Sequence, residues 1–229
     1  SMLNESVLLS LTEIRRAPLK TLKIMVVHSE YYCVEIPNIS SGVWKKLAAF
    51  SPELKVEVSI ATRVPYLKLA GLLKPEIPLV ALSYFRFAHY DGQDLASITE
   101  KYPSTLKAFT SLCQGDKIDT ELVAMVTMCP NLQYFCYHGK LNYRTAIAIA
   151  SLKGENWKHF ELVKTQIGLS EQNQHKHNEI ISIEYLVRGV STALKRTWRP
   201  IETLPDVDEG STCFPWGEFS KYLHWKKIQ

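Results

Sequence analysis

The sequence is poor in the residues on which several functions depend. Only 10 of 229 residues are glycine and none are clustered, so it has neither a phosphate-cradling P-loop nor a dinucleotide-binding glycine fingerprint. Cysteine occurs five times, an odd number, and never as C-x-x-C. A disulfide framework or a structural zinc site therefore has little support, and a reducing compartment, cytosol or nucleus, is expected. The excess of basic charge is small, 27 Lys and Arg against 23 Asp and Glu for a net +4, and it is interspersed along most of the chain. That is too little to argue for nucleic acid. No apolar run has the length of a membrane span, and no signal peptide with a basic flank and a cleavage site opens the chain. Ser10, His89 and Asp91 show no hydrolase triad signature. His175 and His177 lie in a polar stretch, 170–178, that reads as a solvated loop and not as a metal site.

What is present is a core. Hydrophobic residues make up 46% and charged residues 22%, ordinary proportions for a globular protein long enough to bury one substantial core. The apolar pattern begins at once, at Leu3, Val7 and Leu8, and the sequence is expected to be part of a longer protein.

Six short segments have strand character, starting at Leu19, Leu54, Ile77, Leu106, Leu132 and Trp157, with gaps by subtraction of 35, 23, 29, 26 and 25 residues. Most of these gaps fall in or near the period of a leucine-rich repeat, about 20–29 residues. The long first gap predicts an inserted loop at 30–41. Helical periodicity fills several of the others. Val43, Trp44 and Leu47 suit one helix face. Leu95, Ile98 and Tyr102 suit a second, with Asp94 as a possible cap, and Leu122, Val123 and Val126 a third, capped by Asp119 or Thr120. Ala146, Ile149 and Ala150 suit a fourth. Three of these helices run into a proline, at Ser51-Pro52, Tyr102-Pro103 and Cys129-Pro130, and each proline marks a stop.

A lone strand and helix cannot bury their apolar faces, but stacked copies bury them against one another. The spacing thus predicts an α/β fold: a leucine-rich-repeat solenoid, or horseshoe, with a parallel sheet on the concave side and helices on the convex side. Leu22, Ile24, Val56, Val58, Val80, Leu82, Phe109, Leu132, Phe135 and Phe160 are expected in the core. A repeat domain over 3–200 is expected to end in a capping helix built on Ile180, Ile183, Leu186, Val190 and Leu194. A tail over 201–229 follows, with an acidic linker at 202–211 and an aromatic set that includes Trp216 and Trp225. These two tryptophans are expected to pack at least partly on the chain itself, or else to anchor a partner.

Alternation sends other strand residues to the opposite face, where solenoids bind partners. The candidates are Thr21, Lys23, Lys55, Glu57, Tyr134, His138, His159 and Glu161, with Leu79, Ala81 and Cys136 also placed outward. Cys129 and Cys136 read as buried cysteines of the repeats, not as nucleophiles.

At this point a family resemblance appears. Cys129-Pro130-Asn131-Leu132-Gln133-Tyr134-Phe135 resembles the helix-to-strand junction of the cysteine-containing leucine-rich repeats of F-box proteins. The stretch from Trp44 to Pro52 resembles the same junction in irregular repeats of that group, and the stretch from Ile183 to Pro200 resembles the last helix and its W-x-P exit. The pattern is similar to the subgroup with degenerate repeats and a C-terminal tail. The resemblance implies a non-catalytic, substrate-recognition part of a Skp1–cullin–F-box ubiquitin ligase, with no metal or cofactor and no membrane. It would take a protein substrate on the concave face or the tail. The F-box that docks the Skp1–cullin complex is not found in these residues and is expected upstream. A leucine-rich-repeat RNA-binding or export adaptor is the alternative, suggested by the mildly basic charge.

Overall fold

The computed structural model describes residues 3–13, 16–27, 36–62, 69–85, 88–113, 117–168 and 182–202. The aromatic tail, the His175 loop, Ile180 of the expected capping helix, Cys33 and the first half of the predicted 30–41 insertion lie outside them.

The fold is α/β, built on a six-stranded parallel sheet whose strands lie side by side in chain order. They are β1 (Thr21–Val27), β2 (Lys55–Ala61), β3 (Leu79–Tyr84), β4 (Ala108–Ser111), β5 (Tyr134–Tyr137) and, after the two-residue β6 (Leu141–Asn142), β7 (His159–Leu162). β6 pairs in parallel with β8 (Ile167–Gly168) as a separate two-stranded ribbon. The helices are α1 (Glu5–Ser10), α2 (Ser41–Phe50), α3 (Gly92–Lys101), α4 (Asp119–Met128), α5 (Tyr143–Lys153) and α6 (Ile183–Leu194). None of them is long and apolar enough to cross a membrane.

All six expected strands form, but each begins one or two residues later than its apolar pattern. In five of the six the leading apolar residue is instead part of a turn that precedes the strand. Leu54 N–H donates to the Ser51 carbonyl, Ile77 to Lys74, Leu106 to Tyr102, Leu132 to Cys129 and Trp157 to Gly154, at 3.0–3.3 Å. All five side chains are buried. A tight turn of this kind recurs five times, closing over three residues at four junctions and over four at Leu106, and it explains why an apolar residue is required before the ladder starts. Gly154 supports the last of these turns at φ +54°, a backbone conformation that L side chains rarely adopt.

The three helices that run into a proline stop there. α2, α3 and α4 end at Phe50, Lys101 and Met128, with the residue before the proline as C-cap. The start of α3 is capped by Asp91, not Asp94. Asp91 accepts from the Asp94 N–H and Asp94 completes a capping box, so the aspartate that looked like the cap is its partner three residues on. Asp119 opens α4 from inside the helix, and its Oδ1 accepts from Asn142 N–H at 2.9 Å, tying one unit to the next.

The buried residues of every helix share one core with one face of the sheet. Its spine is the row Ile24, Val58, Leu82, Phe109, Phe135, Phe160, in register across all six strands. Phe135 stacks on Phe160 at 5.7 Å and leans on Phe109 at 6.1 Å and Trp157 at 5.7 Å. Of the ten predicted core residues only Leu22 is not buried; it packs against the core from the edge strand, which has a neighbour on one side only.

Leu79 corrects the alternation reading. A register shift between Val56 and Glu57 inserts one extra residue in β3, so Leu79 joins the helix-side core and Val80 the small cluster with Ala81 and Ala108. Strict alternation cannot foresee a bulge, which moves every residue before it to the other face.

At the far end, α6 packs on α5. Trp198 then covers the last strand: its ring lies 5.9 Å from Phe160 and its Nε1–H donates to the Phe160 carbonyl at 2.9 Å. Ile201 bridges in parallel to Val163, so the chain continues the ladder one step past β7.

Candidate functional site

The face of the sheet turned away from the helices holds the candidate site. Parallel register sorts its side chains into rows. One row runs Lys23, Glu57, Ala81, Ala108, Tyr134, His159, and the next runs Met25, Ser59, Ser83, Thr110, Cys136, Glu161. No helix residue among those described joins the two apolar clusters of this face.

The rows change character from end to end. On β1 and β2, Thr21 and Lys23 are exposed, Lys55 and Glu57 half-buried, and Lys23 Nζ pairs with Glu57 at 2.9 Å. The middle is small and buried: Ala81, Ser83, Ala108 and Thr110. On β5 and β7, Tyr134, His159 and Glu161 are half-buried, and Lys158 Nζ lies 5.9 Å from the centre of the Tyr134 ring.

The β5–β7 end brings four side chains together. Cys136 and Glu161 are direct register partners. Two residues along from Cys136, and hence on the same side of the chain, His138 follows β5, with its own N–H donated to the Ser111 carbonyl at 2.8 Å. Glu161 Oε1 accepts from the Cys136 thiol at 3.2 Å and from His138 Nε2 at 2.8 Å. The sulfur and that same Nε2 are 3.3 Å apart. On the other carboxylate oxygen, His159 Nε2 stands 3.3 Å from Oε2. Among the described residues this is where three potential metal donors, the Cys136 sulfur, a His138 ring nitrogen and a Glu161 oxygen, lie within 4.8 Å of one another.

Electrostatics follow from burial and geometry. Burial pushes the Cys136 thiol well up, and the Glu161 charge adds to the effect. Burial alone would raise Glu161 too, but the hydrogen bonds from His138 and Cys136, with the His159 ring beside the other oxygen, outweigh it and hold the carboxyl well below the usual range. Cys113 and Cys129, buried elsewhere, are pushed up to about 12 and about 11 by desolvation. None of the three thiols is poised as a thiolate nucleophile. The cluster is also not wired as a relay. A catalytic carboxylate orients the imidazole through the ring nitrogen opposite the nucleophile, whereas here Glu161 and Cys136 crowd the same nitrogen.

Of the predicted outward residues, Lys23 meets Glu57, and His138 and His159 meet Glu161. Thr21 and Lys55 are register partners at the edge. Trp216 and Trp225 lie outside the described residues. His138 is 3% exposed by side chain, so it serves the cluster more than the surface. Cys136 is not a cysteine of the helix-side core as Cys129 is; it belongs to the opposite face. The missed signal was the pairing of two period-two motifs, Cys136-x-His138 and His159-x-Glu161, one repeat apart.

Compared with models of known families and with curated proteins, the chain matches none.

Proposed function

We propose that the chain is a leucine-rich-repeat solenoid that acts as a protein-binding module, the substrate-recognition part of a Skp1–cullin–F-box ubiquitin ligase. The observation that carries this reading is the unbroken chain order of six parallel strands, five of them entered through a tight turn that buries a leading apolar residue. Doubly wound enzymes reverse strand order, and their ligand crevice opens at the reversal. This sheet has no reversal, so the usual origin of a small-molecule site in a parallel sheet is lacking. A strictly sequential stack with its helices on one face is what repeats give, and such stacks present the other face to partners. The chemistry at that face also favours recognition over catalysis, since its thiol is held protonated and its imidazole lacks a relay.

The mechanism is proximity. The module holds a target so that its lysines meet a ubiquitin-loaded enzyme elsewhere in the complex, converting a bimolecular encounter into a local one. The outward residues Lys23, Lys55, Glu57, Tyr134, His159 and Glu161 would supply target contacts. Adaptor docking would come from an F-box outside these 229 residues.

Purified Skp1-type adaptor tests the ligase part. A longer protein carrying the expected F-box should bind it, and the 229-residue chain alone should not. Adaptor binding by this chain at micromolar affinity, or none by the longer protein, would remove the ligase assignment.

A further inference from the structure

We infer that Cys136, His138 and Glu161 form a binding site for a thiophilic divalent cation of the zinc class, with His159 as the positioning residue that holds Glu161. The site is independent of the ligase reading, and it departs from the sequence expectation that no metal is bound.

Three observations carry it. First, the donors are one sulfur, one ring nitrogen and one carboxylate oxygen, converging within 4.8 Å. Hard cations such as calcium and magnesium take all-oxygen sets, whereas thiolate and imidazole together suit zinc and its neighbours. Second, the spacing is close to what such an ion needs. Bonds of about 2.3 Å to sulfur and about 2.0–2.2 Å to nitrogen and oxygen place tetrahedral donors about 3.3–3.6 Å apart. The sulfur lies 3.3 Å from the nitrogen and 3.2 Å from the oxygen. The nitrogen–oxygen separation is 2.8 Å, a hydrogen bond that must open by roughly 0.5 Å to admit the ion. Third, the backbone pre-positions the set. Cys136 and Glu161 are fixed across the ladder by register, and His138 is tied to β4 through its N–H.

The remaining Glu161 oxygen faces His159. That is the arrangement in which outer partners orient a ligating carboxylate. Glu161 and His159 are 20% and 29% exposed by side chain, so the ion has a path in and a fourth position open to water or to a partner's side chain. On binding, the thiol gives its proton to solvent, and His138 presents its Nε2 lone pair with the ring proton on Nδ1. No oxidation or reduction takes place.

The test uses the whole chain stripped with chelator and reloaded with zinc or cobalt alone. Elemental analysis after desalting should find one zinc per chain, and cobalt should give a thiolate-to-metal charge-transfer band. Cys136→Ser should abolish the band and Glu161→Gln should remove tight binding, with folding checked by circular dichroism. His159→Gln should weaken binding about 10–100-fold while leaving the band in place at saturation. Chains carrying Cys33→Ser with Cys213→Ser, or His175→Ala with His177→Ala, should bind as the parent does. A parent chain that retains no zinc overturns the proposal whatever the variants do. So does binding that survives Cys136→Ser, or that disappears in the Cys213 or His175 controls.

Discussion

At one end of the outward face Lys23 reaches across to Glu57 at 2.9 Å with its side chain 62% exposed; at the other, His138 reaches across to Glu161 at 2.8 Å and is 3% exposed. Both contacts cross between neighbouring chain segments, Lys23 and Glu57 as direct register partners and His138 two residues beyond Glu161's partner Cys136, and their energetics differ. The lysine pair works in water, where attraction is screened and side-chain ordering offsets most of the gain. The histidine contact sits on buried Cys136, where each lost partner leaves a polar group that water cannot reach. Strand position sets which side chains meet, and burial sets what the meeting is worth.

The largest effect should come from the opposite face at the same end. Phe135 is fully buried and touches Phe109, Trp157 and Phe160. Phe135→Ala should destabilise by about 3–5 kcal/mol, read from urea melts by tryptophan fluorescence. A loss below about 1 kcal/mol would mean that the aromatic row does not hold the β4–β7 units together.

Next is Glu161→Gln, measured with chelator present so that only protein contacts count. The amide replaces an acceptor that serves both Cys136 and His138, and the expected loss at neutral pH is about 1–3 kcal/mol. Because the folded carboxyl titrates below its usual range, its contribution is complete above about pH 4.3. It is lost as pH falls through the lower folded value. The difference between parent and variant should therefore shrink from pH 5 toward pH 3; a constant difference would contradict the assignment.

Trp198→Phe should be milder. The ring against Phe160 is largely kept, but the Nε1–H donated to the Phe160 carbonyl is gone. About 1 kcal/mol should be lost, with faster amide exchange in β7 as the local sign that the last strand has lost its cover.

The sequence made the β2–β7 stack legible because each unit repeats an apolar run, and the units that enter β2, β4 and β5 add a proline after the helix. Six strand positions, three helix stops and nine of ten core residues follow from these. What alternation could not supply was the bulge that turned Leu79 inward, since one inserted residue leaves no trace in composition. The candidate site was half legible. His138, His159 and Glu161 could be placed on one face by period two, but their convergence with Cys136 depends on cross-strand register. Register follows from the gap between units, 25 residues from Phe135 to Phe160, and not from either strand alone. At the Lys23 end the first gap is longest, so register there was least determined by the repeat.

The smallest expected effect on stability belongs to that end, and it separates fold from function. Lys23→Ala removes an exposed partner of Glu57; Glu57 can rehydrate, so the stability change should be under about 1 kcal/mol and should fade in high salt. Target binding should respond differently. If the outward face is the recognition surface, reversing the pair (Lys23→Glu with Glu57→Lys) keeps the ion pair and the stability while inverting the field a partner meets. Electrostatic complementarity acts mainly on encounter and partner choice. The swapped chain should therefore melt as the parent does but associate more slowly with its target, and the gap in association rate should close as salt is raised. An unchanged association rate at low salt would move the recognition surface away from β1 and β2, leaving the β5–β7 end as the part of the face that partners read.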